Sequence, residues 1–115
     1  MTSTINLIQT LLGKNKEARA ENNYYALLMN AQSILEEIPH LINISVDYEH
    51  KYRKYEAELI DNPKMTSSKA ETYAKAREDY MEWQRCKQLI DLLYEVVQVA
   101  KRLAVDNDKN LKATM

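Results

Sequence analysis

The acidic and imidazole side chains of Glu36-Glu37-Ile38-Pro39-His40 are the residues of this chain best spaced to hold a metal ion. Glu37 and His40 stand three apart, so on a helix they share a face, as ligands to a carboxylate-bridged pair of iron ions do. Such a site needs further Glu residues from other helices and a second Glu-x-x-His. The chain contains one such motif, and a second copy would have to supply the other. Pro39 inside the motif favours a plainer reading, solvated residues at a bend in a helix, and no cofactor is expected.

The remaining routes to catalysis are thinner. Glu58 and Asp61 have the Glu-x-x-Asp spacing that all-α nucleotide pyrophosphohydrolases place downstream of a Glu-Glu-x-x-Glu to hold magnesium. Glu36-Glu37 begins that first motif, but His40 stands where its third Glu should be. His40 and His50 are the only histidines, and no strand-turn-helix elbow can be placed to expose a serine nucleophile. A single glycine, Gly13, excludes a Gly-rich phosphate loop. The chain is not expected to be an enzyme, and no small-molecule substrate is identified.

Binding chemistry is better represented. Tyr48-Glu49-His50-Lys51-Tyr52-Arg53-Lys54-Tyr55 interleaves cations with aromatics. Proteins that hold single strands use this combination: Lys and Arg neutralise phosphates while aromatic faces stack on bases. If the chain turns back near Asn62 to Met65, Lys69, Lys75 and Arg77 come to the same end. The candidate nucleic-acid contacts are therefore Lys51, Arg53, Lys54, Lys69, Lys75 and Arg77. Against this stand Glu49, Glu56, Glu58, Glu71, Glu78 and Asp79, and the prospect that the tyrosines, with Trp83, are packed between helices and unable to stack on bases.

The elements that would position these residues are helical. One Gly, two Pro and no Phe in 115 residues leave too few turn signals for sheets, so an all-α fold is expected. Thr2-Ser3-Thr4 offer caps for a short helix over 5–12, with Ile5, Ile8, Leu11 and Leu12 on one face and Gly13 ending it. A long helix follows over about 16–60. Leu27, Ala31, Ile34, Ile38, Leu41, Ser45, Tyr48, Tyr52, Tyr55 and Leu59 recur along it at spacings of four and three, the period of a coiled-coil seam. Because the seam keeps its register across it, Pro39 is expected to kink this helix near Leu35 to Ile38; the alternative is a break at Ile38 with Pro39 opening a new helix.

Asp61-Asn62-Pro63 stops the first long helix. Thr66, Ser67 and Ser68 offer caps for a second, over about 67–104, with Ser68 and Glu71 at capping-box spacing. Tyr73, Ala76, Tyr80 and Trp83 should face the tyrosines of the first arm. Residues 106–115 form a polar tail expected to fray. The architecture is thus a long antiparallel helical hairpin with a short N-terminal helix.

Both arms carry a second apolar stripe: Tyr24, Leu28, Leu35 and Ile42 on one, and Ile90, Val97 and Ala104 beside Cys86, Leu89, Leu93, Val96, Ala100 and Leu103 on the other. Two apolar faces call for two neighbours; the short N-terminal helix can supply one, and a homo-oligomer is expected to complete the bundle. The expected interface is Leu28, Leu35, Ile42, Leu89, Leu93, Val96 and Leu103.

Sixteen basic residues against seventeen acidic give a net charge of -1, so no strong overall field steers the protein to nucleic acid or anionic lipid. The lone Cys86 excludes a disulfide within the chain and fits a reducing, cytoplasmic setting. No stretch approaches the roughly 20 apolar residues of a membrane span, and no membrane association is expected.

Over Met65-Thr66-Ser67-Ser68-Lys69-Ala70-Glu71, Tyr73-Ala74-Lys75-Ala76, Tyr80 and the apolar run Leu89 to Leu103, the chain resembles small helical phage proteins of recombination and replication cassettes, among them UvsY-type recombination mediators. The resemblance covers residues 65–104. It implies an oligomer assembled through its apolar C-terminal region, with a basic region contacting single-stranded DNA or a recombination protein. The alternative from the residues alone is a protein-interaction module, a scaffold, adaptor or inhibitor, that binds no nucleic acid.

Overall fold

A computed structural model describes residues 2–114, with side chains for 4–109. Four helices follow one another: α1 (Thr2–Ala20), α2 (Tyr24–Ile60), α3 (Ser67–Lys75) and α4 (Glu78–Thr114). No strand occurs among the described residues, and α2 and α4 pack against each other as the arms of a hairpin.

α1 is longer than the helix read over 5–12. It runs through Gly13 and takes in the polar segment assigned by sequence to the start of the next helix. Its true end is set by asparagine. Asn22 adopts a left-handed backbone, φ 56°, while the Asn23 N–H donates to the Ala18 carbonyl at 2.8 Å and the Asn22 N–H to that of Arg19 at 3.2 Å. These bonds satisfy carbonyls that a helix end otherwise leaves bare. The Asn23 side chain then accepts from the Ala26 N–H at 3.1 Å and caps α2. Of the expected caps, the side chains of Thr2 and Ser3 lie outside the described residues.

α2 is continuous across Pro39, which excludes a break there. The missing N–H and the clash with the Leu35 carbonyl cost roughly 3 kcal/mol in a helix interior. Burial on both sides offsets it: Ile34, Ile38 and Leu41 are each 0–2% exposed, and fully burying such a side chain contributes about 1.5–3 kcal/mol. Every seam position from Leu27 to Leu59 is buried or half-buried. At the far end the Asn62 side chain accepts from the Lys64 N–H, and the Met65 N–H closes a turn on the Asn62 carbonyl.

The second arm is two helices rather than one. Thr66 caps α3, its side chain accepting from the Lys69 N–H at 3.2 Å; the Ser68–Glu71 box does not form, and Glu71 pairs with Lys75 instead. The helix then stops at Ala76 and restarts at Glu78. The reason lies in phase. α4 buries Glu82 and Cys86, whereas α3 buries Ala70 and Ala74. At 3.6 residues per turn, an unbroken helix burying Glu82 and Cys86 would turn Lys75 and Thr72 inward and the two alanines outward. The break rotates α3 so that Ala70 and Ala74 are buried and Lys75 is exposed. Tyr73 and Ala76, expected on the inner stripe, are exposed as a result. α4 continues to Thr114, through most of the segment expected to fray.

The chain divides into two compact units that share α2 and α4. The first comprises α1, α2 as far as His40 and α4 from Ile90. Its core is Ile8, Leu11 and Ala18 of α1, Leu27, Ala31, Ile34 and Ile38 of α2, and Leu93, Val97 and Ala100 of α4. The second comprises α2 from Leu41, α3, and α4 up to Leu89. Its interior is more polar and aromatic: Leu41, Ser45, Tyr52, Ala70, Ala74, Glu82 and Cys86 are buried.

Candidate functional site

The second unit carries the basic-aromatic sequence. Rising numbers on α2 meet falling numbers on the opposite arm: Tyr48 senses Glu82 and Cys86, Tyr52 meets Trp83 and Tyr80, and Tyr55 meets Arg77. The pairing is antiparallel, and of the residues expected to face the tyrosines it brings Tyr80 and Trp83, but not the exposed Tyr73 and Ala76, against Tyr52. Tyr52, Tyr80 and Trp83 form one cluster, with ring centres 5.0 Å apart for Tyr52–Tyr80, 5.6 Å for the stacked Tyr52–Trp83 pair and 5.9 Å for the edge-on Tyr80–Trp83 pair. These separations are those at which aromatic pairs attract beyond their buried area.

Cations cover what the rings leave open. Arg53 stands over both Tyr52, at 5.2 Å, and Trp83, at 5.6 Å. Lys75 stands 5.9 Å over Tyr80, Lys51 5.4 Å over Tyr48, and Arg77 4.0 Å over Tyr55. Lys87, which the sequence reading left out, lies 4.8 Å over Trp83. Its i, i+4 relation to Trp83 on a helix could have marked it.

The six candidate nucleic-acid contacts are all exposed, but they do not form one patch. Lys51, Lys54 and Arg77 gather, with Tyr55, Glu58 and Asp79, around a depression of about 340 Å³. Arg53 and Lys75 flank a second, of about 300 Å³, lined also by Tyr52, Glu71, Tyr80, Trp83 and Gln84. Lys69 belongs to neither. Acids answer several of these cations: Lys75 Nζ donates to Glu71 Oε1 at 2.7 Å, and Arg77 Nη2 lies 3.6 Å from Asp79 Oδ2, too long for a hydrogen bond. The Lys75 hydrogen bond, and then its charge, hold Glu71 below the usual carboxylate range, and Glu71 raises Lys75 in return.

Beneath the surface the groups are held neutral or paired. Burial raises the Tyr52 hydroxyl above its ordinary pKa, as does its bond to Glu56 Oε2 at 3.0 Å; the charges of Arg53 and Lys75 oppose the shift. Burial raises Tyr48, reinforced by Glu82, and burial followed by the Glu82 charge raises the Cys86 thiol. Glu82, also absent from the sequence reading, is buried with Arg85 Nη1 donating to its Oε1 at 2.6 Å. Its position one turn before Cys86 on the inner stripe was the available signal.

The other candidates scatter. Glu37 is half-buried and His40 exposed, and no group of three or more His, Cys, Asp or Glu able to hold a metal occurs among the described residues. Of the expected interface, Leu28 and Ile42 are exposed and Leu35, Leu89, Val96 and Leu103 half-buried. Leu93 is fully buried in the chain's own first unit and is not available to a partner. None of the described helices is long and apolar enough to cross a membrane. Comparisons with protein-family models, with curated proteins and with solved structures gave no match.

Proposed function

We propose that this protein is a non-enzymatic, oligomeric accessory protein of phage-like DNA metabolism, which contacts single-stranded nucleic acid through the basic residues of its second unit. The setting comes from the resemblance of residues 65–104 to recombination mediators. The contact is supported by one observation: four of the six candidate cations, the exposed residues Lys51, Arg53, Lys75 and Arg77, are held over aromatic rings. The rings orient cations, so the nucleic acid is gripped by its phosphates and its bases are left unstacked.

The charge balance limits this grip. Residues 41–89 contain nine Lys or Arg and nine Asp or Glu, so the unit has no long-range field and its hold on a strand is local. Binding of oligothymidylate, followed by fluorescence anisotropy at low salt, is expected to weaken with salt at a log-log slope of about -2 for three phosphates neutralised. Replacing Lys51, Arg53 and Lys54 together by Ala should abolish it. Absence of binding by the unaltered protein at low salt would remove nucleic acid from the proposal.

A second reading, a protein-interaction module, is favoured by apolar side chains left in water on the first unit. Tyr25 is 76% exposed, with Met29, Leu28, Tyr94 and Val105 also open. Its signature is a heteromeric complex recovered by pull-down that survives nuclease treatment.

A further inference from the structure

The depression bounded by Lys51, Lys54 and Arg77 differs from the rest of the basic surface in the state of its arginine. The Arg77 guanidinium lies 4.0 Å from the Tyr55 ring centre, close enough for face contact, and among the described residues no acceptor is within hydrogen-bond distance of it. Asp79, at 3.6 Å, neutralises charge without occupying the donors. A guanidinium resting on an aromatic ring keeps its N–H groups at its edge, where they suit two oxygens of a tetrahedral oxyanion.

Lys51 and Lys54 enter from α2, three residues apart and hence on one face, with Tyr55 and Glu58 beside them. Three cations against the two carboxylates Glu58 and Asp79 leave this depression positive, within a unit whose charges sum to zero. The second depression is less suited, because Lys75 is already committed to Glu71 at 2.7 Å and Arg53 is spread over two rings.

We propose that this depression is a phosphate subsite, in which Arg77 binds two phosphate oxygens through its edge while Lys51 and Lys54 supply charge. The inference rests on the nucleic-acid reading, since it names the point at which one backbone phosphate of the strand is held. It assigns unequal weight to the six cations: Arg77 recognises, the two lysines attract, and Lys69 contributes nothing specific.

The test uses the whole protein. The Arg77 Nε–H resonance, assigned by its loss in Arg77→Lys, is followed during titration with inorganic phosphate, with oligothymidylate and, at matched ionic strength, with acetate. The expected result is a saturable shift with phosphate and with oligothymidylate, and little with acetate. In binding assays Arg77→Lys and Tyr55→Leu should each weaken oligothymidylate about five- to tenfold, within the range for the net loss of one ordinary hydrogen bond, and Arg77→Lys should leave the salt slope unchanged because the charge is kept.

Oligothymidylate that binds with Arg77 unmoved overturns the subsite and leaves the nucleic-acid reading standing. A phosphate-induced shift without oligothymidylate binding upholds the subsite as a site for free phosphate and removes the strand. An equal response to acetate overturns the phosphate assignment. The titrations of the unaltered protein decide the matter even where a variant fails to fold.

Discussion

Tyr48, Tyr52 and Cys86 all have their proton affinity raised by burial, with Glu56 adding to the effect at Tyr52 and Glu82 at the other two. Each group is neutral when protonated, so the folded protein holds these protons more tightly than the unfolded chain. The stability they contribute is therefore intact below the unfolded pKa values, about 8.5 for Cys and 10 for Tyr, and is lost as pH rises through the folded values. Denaturation midpoints are expected to fall on the alkaline side beginning near pH 9, and the fall should be smaller in a Tyr48→Phe, Cys86→Ala protein. Alkylation of Cys86 at mildly alkaline pH should likewise be slow until denaturant is added; equal rates in folded and unfolded protein would contradict the burial described. The residue scale is also where sequence reading was weakest. It recognised Lys51, Arg53, Lys75 and Arg77 as exposed cations and the tyrosines as seam residues, but which ring each cation would cover depends on the pairing register of two arms, and no local spacing encodes that register.

Among the elements, the seam of α2 was legible because ten positions at alternating steps of four and three make a signal that survives even a proline. The ends of helices were not, for reasons that differ from case to case. Gly13 looked like a terminator, yet Lys14 and, after Asn15, the run Lys16 to Arg19 are good helix formers, and the carbonyl-satisfying geometry belongs to Asn22 and Asn23. The break at Ala76 has no Gly or Pro to announce it, and follows from burying Ala70 and Ala74 on one helix and Glu82 and Cys86 on the next. The misread glycine gives a prediction at this scale. A Cβ built on Gly13 meets nothing within 4 Å, and the residue sits in a helix interior. Gly13→Ala is expected to stabilise the protein by about 0.5–1 kcal/mol, through both helix propensity and a less flexible unfolded chain, as read from urea denaturation. A destabilisation would show that α1 does not continue through this position in solution.

For the molecule as a whole, the doubled apolar stripes are the ground for expecting assembly, with the N-terminal helix as one of the neighbours they call for. Ile8 and Leu11, both within the helix expected over 5–12, and Ala18, within its extension to 19 residues, are buried in the first unit, whereas none of Tyr24, Leu28, Leu35 and Ile42 is fully buried. On α2 the positions left open to a second copy are Leu28, 44% exposed, and Ile42, 41% exposed, with Leu35 half-buried on the same stripe, as Leu89, Val96 and Leu103 are on α4. Inner and outer positions should therefore respond differently to substitution. Leu93→Ala removes a side chain with no exposed surface and is expected to cost about 2–5 kcal/mol of stability, because a cavity is left where packing was complete. Leu28→Glu with Ile42→Glu places charge where water already reaches, so the melting temperature of the monomer should change little while any oligomer seen by sedimentation dissociates. If the double glutamate variant sediments as the unaltered protein does, the stripe of α2 is not the assembly surface, and a monomer in both would confine the protein's partners to other molecules. The two measurements separate core from interface, because a residue that does both jobs would lower stability and dissociate the assembly together, at the protein concentrations where the oligomer is populated.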